Sequence, residues 1–197
     1  MVATLAVLTW LSAGAAPEQD PFAGQPYRLR DAVTGRVSSW DRTGDNRDFV
    51  SFKAGETREL VALEGPGAIT HVYMTPAAGP AFLRTAVLRM YWDGETAPSV
   101  ETPFGDFFCS GGGSPRLFAS HWVVVNHGSG TIAYNMYLPM PFRKSARITL
   151  ENCGAAALGM FWYHVEYERY DRDLPADTAY FHAQWRRENP TSVCAEG

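Results

Sequence analysis

Cysteine is scarce in this 197-residue chain: Cys109, Cys153 and Cys194 are the only ones. An odd number at these spacings gives neither a disulfide framework nor a zinc pattern. One bridge is open to any pair, and three unpaired thiols fit equally well. Charge is sparse too, at 19% of residues with a formal net charge of −4, so the chain lacks the basic footprint of a nucleic-acid binder. No run reaches the ~20 apolar residues of a membrane-spanning helix. A Gly-x-Ser-x-Gly elbow is absent, which argues against α/β-hydrolase chemistry. Phosphate-loop and dinucleotide fingerprints are absent as well, as are internal repeats and long amphipathic helical patterns. The histidines, His71, His121, His127, His164 and His182, show no ligand spacing, so neither a metal site nor a cofactor is expected.

Apolar and aromatic residues are plentiful, at 46% and 13% of the chain. The length allows one domain with a real core. Residues 3–11 are apolar and Ala13-Gly14-Ala15 follows. This resembles the end of a secretory signal peptide over residues 1–15, although no Lys or Arg precedes Arg28. Export, to a secreted or periplasmic location, is the expectation. Residues 16–35 are rich in Pro, Gly and charge and read as a linker or N-terminal arm.

From residue 57 short strands alternate with turn signals. Ile69–Met74 lies between Gly67 and Pro76, and Ala86–Trp92 runs into Asp93-Gly94, a hairpin signal. Further strands are expected at Trp122–Val125, Thr131–Leu138 and Ala146–Glu151. Phe161, Tyr163, Val165 and Tyr167 alternate with Trp162, His164, Glu166 and Glu168, giving one apolar and one mixed face. The aromatics of 131–138 and 161–167 outnumber what one small core comfortably hides, so part of them is expected at the surface. The spacing of turns predicts an all-β fold, a jelly-roll β-sandwich.

Three segments are candidates for chemistry. Residues 38–48 combine carboxylates, guanidiniums, an amide and an indole. Trp40 can stack on a sugar ring, while Asp41, Arg42, Asn46 and Asp48 can grip hydroxyls. The plainer reading is a solvated loop with Asx turns. Phe107 stands in Pro103-Phe104-Gly105-Asp106-Phe107-Phe108, before the glycine tract 111–113; a strand end with a flexible connection explains this stretch equally well. His182, Gln184 and Trp185 cluster with two arginines in residues 181–188; a surface segment with a structural Trp explains this stretch equally well. Carbohydrate is the expected partner of these residues, and no nucleic acid or membrane span is.

Ser38-Ser39-Trp40-Asp41-Arg42-Thr43-Gly44, Glu64-Gly65-Pro66-Gly67-Ala68-Ile69-Thr70, Pro103–Phe108, Tyr137–Ala146 and Phe181–Glu188 keep an order that resembles the "domain of unknown function 2961" proteins, glycoside hydrolase family 172. The likeness covers residues 36–190 and leaves 191–197 as a tail. It implies the first of two tandem jelly rolls, a trimer-based homo-oligomer, and retaining cleavage of α-linked D-fructofuranosides or D-arabinofuranosides. It also implies a catalytic glutamate pair in the second half of such proteins. No residue here matches either glutamate, so none is assigned a catalytic role, and the chain by itself is expected to be inactive. Glu166 and Glu168 project from one strand in parallel, so they read as a solvated strand face. A stand-alone carbohydrate-binding module and a sandwich that only mediates assembly are the other readings.

Overall fold

The computed structural model describes residues 29–127 and 130–190. The expected signal segment, most of the expected arm, the tail 191–197 and Cys194 lie outside them. The compact unit treated below begins at Ala32.

Strands follow one another as β1 (Val33–Ser38), β2 (Val50–Phe52), β3 (Thr57–Glu64) and β4 (Gly67–Pro76). A single helical turn, α1 (Phe82–Thr85), leads into β5 (Ala86–Trp92) and β6 (Val100–Pro103). A second, α2 (Phe104–Phe107), precedes β7 (Phe118–Ala119), β8 (Val123–His127), β9 (Ile132–Met136) and β10 (Met140–Phe142). The chain closes with β11 (Ser145–Asn152), β12 (Leu158–Arg169) and β13 (Ala183–Gln184). No described helix is long and apolar enough to cross a membrane.

Two sheets form. The larger runs β1-β12-β4-β9-β8-β7, with β10 on β4 and β2 on β12; the smaller runs β13-β6-β5-β11-β3. The architecture is the expected all-β sandwich. Strand alternation builds it: in β5, Ala86, Leu88, Met90 and Trp92 are buried while Val87, Arg89 and Tyr91 are less so. These inward side chains join Phe52, Ile69, Val72, Phe104, Phe108, Ile148, Leu150 and Phe161 in one core, which removes apolar area from water.

The structure differs from the sequence-based expectations in two places. The expected arm reached residue 35, but Val33 to Gly35 already pair with β12. Of the aromatics in 131–138 and 161–167, Tyr134 and Phe161 are buried, whereas Tyr137 is exposed and Trp162, Tyr163 and Tyr167 are partly so, in line with the expectation that part of them reach the surface. The core that Tyr134 and Phe161 join is wider than the short strands suggest, because Phe104 and Phe108 from the α2 region pack against Tyr134. Glu168, expected on a solvated face, is only 7% exposed and accepts a hydrogen bond of 2.9 Å from the Tyr170 hydroxyl.

Candidate carbohydrate-binding face

The register of the larger sheet lays two polar rows side by side. Ser38 pairs with His164, His164 with Tyr73, Tyr73 with Asn135 and Asn135 with Val124. Two residues along each strand, Arg36 pairs with Glu166 and Glu166 with His71. Period-two alternation sends both rows to the same face, away from Val72 and Val165, which are in the core. His164 stacks on Tyr73 with ring centroids 4.6 Å apart, and His71 stacks on Tyr137 at 4.3 Å. Arg36 forms an ion pair with Glu166, and that hydrogen bond holds the Glu166 carboxyl below its ordinary range. Burial, helped by the charges of His71 and Arg36, pushes His164 down to about 4, so its imidazole is neutral near pH 7.

Residues 39–49 fold over one end of these rows. The Ser39 backbone N–H donates to the Tyr163 carbonyl at 3.1 Å. The Ser39 hydroxyl donates to the Asp48 carbonyl at 2.8 Å, joining the two ends of the loop. Inside the loop Asp41 accepts from the Thr43 N–H, the Thr43 hydroxyl and the Arg47 N–H. Asp48 accepts the Asp41 N–H at 2.7 Å. Asn46 sits at φ 60° and Gly44 at φ 85°, a left-handed backbone that these residue types tolerate. Trp40 is 58% exposed, and the Arg42 guanidinium lies 5.7 Å from its ring centre. Between this loop and the sheet opens a cleft of about 230 Å³ lined by Arg36, Trp40, Asp48, Tyr73, Trp162 and His164.

The sequence-predicted residues separate into three places. Trp40, Asp41, Arg42, Asn46 and Asp48 are together in the loop just described, with Trp40 and Asp48 at the cleft and Asp41 spent on holding the loop. Phe107 is a core residue, 5% exposed, edge-on to Phe108 and Phe181. His182, Gln184 and Trp185 belong to the edge of the smaller sheet, where β13 runs parallel to β6. His182 is exposed there, the Gln184 amide donates to the Pro98 carbonyl at 3.0 Å, and Arg84 lies 5.2 Å over the Trp185 ring. Trp185 shares a shallow groove of about 210 Å³ with Arg84, Arg89 and Glu101. The loop and the β13 edge thus offer separate polar-aromatic surfaces on different sheets. Cys109 and Cys153 are free and exposed.

Arg36, Tyr73 and Trp162 are missing from the sequence-based set, as are His71, His164 and Glu166, whose donor atoms all lie within 4.8 Å of one another. Alternation in 161–168 placed Trp162, His164 and Glu166 on one face, but no spacing shows which residues of β1 and β4 stand beside them. That is decided by register alone.

Residues 30–185 match the family model described as the GH172 first beta-sandwich domain. The chain belongs to this family. The match spans both polar-aromatic surfaces and begins just before β1. No curated protein matches the chain. Membership makes this a domain of the glycoside hydrolase type, for which a carbohydrate partner is consistent with the exposed aromatic and hydroxyl-gripping groups of the cleft. In this GH172 domain Glu166 on β12 is held by Arg36 and Glu168 is buried.

Proposed function

We propose that this domain is the sugar-contacting first sandwich of an exported, retaining glycoside hydrolase that cleaves α-linked furanosides, with D-fructofuranoside or D-arabinofuranoside as substrate. It supplies binding groups, and the catalytic glutamates come from elsewhere in the complete, trimer-based enzyme. The observation that carries this reading is the cleft between the 39–49 loop and the larger sheet. There the exposed Trp40 indole stands with Trp162, Tyr73, Asp48 and Arg36. Flat rings cover the apolar face of a sugar, while a carboxylate and a guanidinium take its hydroxyls.

The test is a titration of the purified chain with methyl α-D-fructofuranoside and methyl α-D-arabinofuranoside, followed by Trp fluorescence and by amide chemical shifts. Saturable shifts at Trp40, Asp48 and Trp162, with no hydrolysis, are expected. Shifts confined to the Trp185 groove would move the site to the β13 edge. Hydrolysis by the chain, abolished by a single change within 36–190, would overturn the division of labour. Binding to polysaccharides without furanose residues would favour a general carbohydrate-binding module.

A further inference from the structure

Two imidazoles and a carboxylate converge on the outer face of the larger sheet, and their orientation is set by groups that are not ligands themselves. The Asn135 amide donates to the Val124 carbonyl at 3.2 Å and to the Asn126 side-chain oxygen at 3.4 Å. This turns its own oxygen toward His71 Nε2, 3.1 Å away. His71 Nε2 therefore carries the proton that Asn135 accepts, and in the neutral ring Nδ1 is left with a lone pair. That nitrogen lies 3.6 Å from Glu166 Oε2. Two acceptors this close call for a positive charge between them.

His164 completes the group. Its ring is edge-on to His71, with centroids 5.1 Å apart at 73°, and Tyr73 holds it by parallel stacking as Tyr137 holds His71. The donor atoms of His71, His164 and Glu166 all lie within 4.8 Å of one another. A tetrahedral ion with bonds of about 2.1 Å needs donors roughly 3.4 Å apart, so modest side-chain rotations close the set. The side chains are partly buried, at 12% exposure for His71 and 36% for Glu166, which leaves an approach from solvent.

We propose that His71, His164 and Glu166 form a binding site for a divalent transition-metal ion of the zinc class, with Asn135 fixing the His71 tautomer. Two imidazoles and one carboxylate select borderline ions over calcium or magnesium, which prefer all-oxygen sets. An amide that orients a ligating histidine through its other nitrogen is the expected outer support of such a site. Three protein ligands leave one position open, on the sheet face that carries the Trp40 cleft, and His164 lines both. Arg36 competes, since it pairs with Glu166 through Oε1 and repels a cation. The site stands apart from the furanoside reading and does not depend on it.

The test uses the full chain with its three cysteines changed to serine, so that thiols cannot take the metal. Calorimetric titration with zinc should give one ion per chain with a micromolar dissociation constant. Cobalt(II) should give visible ligand-field bands. H71Q and H164Q should each weaken zinc at least tenfold, N135L should weaken it by about tenfold, and R36M should tighten it. E166Q, at the solvent side of the group, guards against loss of fold and should weaken zinc while leaving the thermal melt intact. No zinc binding below millimolar concentration would overturn the proposal. Equal binding by the parent and by the H71Q/H164Q double variant would overturn it as well.

Discussion

The phenol of Tyr180 donates a hydrogen bond to the Asp93 carboxylate across 87 positions of chain. The other carboxylate oxygen of Asp93 accepts the backbone N–H groups of Arg143, Lys144 and Ser145 at 2.9, 2.6 and 3.2 Å. Next to it the Arg143 guanidinium donates to the carbonyls of Leu174, Pro175, Ala176 and Thr178, and the buried Trp92 indole donates to Phe181 at 2.8 Å. The irregular stretch between β12 and β13 is thereby fastened to the sandwich by polar pins.

Asp93→Asn should destabilise the domain. Burial alone would raise the Asp93 carboxyl, but the hydrogen bonds from Tyr180 and from Lys144, Ser145 and Arg143 outweigh it and hold it below the ordinary range. A folded-state pKa below the unfolded value of about 3.9 means that this contribution is complete well above that pH. It fades as pH falls through the lowered folded value. Urea melts of the parent from pH 6 downward should lose stability in that window, and the Asn variant should lose less. Near neutral pH the variant should be weaker by about 1–3 kcal/mol.

Gly105→Ala should lower stability by about 1–3 kcal/mol through overpacking. A Cβ at Gly105 would lie 2.9 Å from Leu83 Cβ and 2.9 Å from the Ser110 carbonyl oxygen, and the Ser110 contact is backbone that cannot swing away. A melting temperature lower by several degrees is expected, and a melt unchanged within error would contradict the close approach of α1 and α2.

Phe107→Ala and Trp185→Ala separate packing from surface. Phe107 is in the core, so its truncation should cost ~3–5 kcal/mol. Trp185 is partly exposed and packs under Arg84, so its loss should cost only about 1 kcal/mol. If sugar binding falls in the Trp185 variant alone, the β13 groove is a contact site as well.

Asp41→Ala should loosen residues 41–47, because one carboxylate holds three of the loop's donors. Furanoside affinity should fall by about tenfold through loss of the Trp40 and Asp48 positions. Asp48→Ala should give a similar loss with a smaller rise in loop amide exchange. Equal affinity of both variants and parent would return the loop to an ordinary solvated turn.

Much of the fold was legible because strands announce themselves locally. Ala86–Trp92 was expected and found with the same bounds, and the alternation of 161–168 marks β12. The Asp93-Gly94 signal corresponds to residues at φ 55° and 85°, but Asp93 also ties together 143–145 and Tyr180, which no local pattern reveals. β2, β7, β10 and β13 are two or three residues long, too short for period-two reading. Trp40 and Asp48 were recognisable by residue type. His71 beside Glu166 was not, because their 95-residue separation is closed only by the pairing of β4 with β12.

The smaller sheet ends on one side at β13, a two-residue parallel strand, and on the other at β3. The outer residues of β3 include Arg58, Glu59 and Glu64, all exposed, and its partner β11 shifts register between Ile148 and Thr149. Charged rims and irregular pairing are how sheets repel a foreign strand. Fibril-like growth by adding a neighbour's backbone is therefore discouraged at both borders of this sheet.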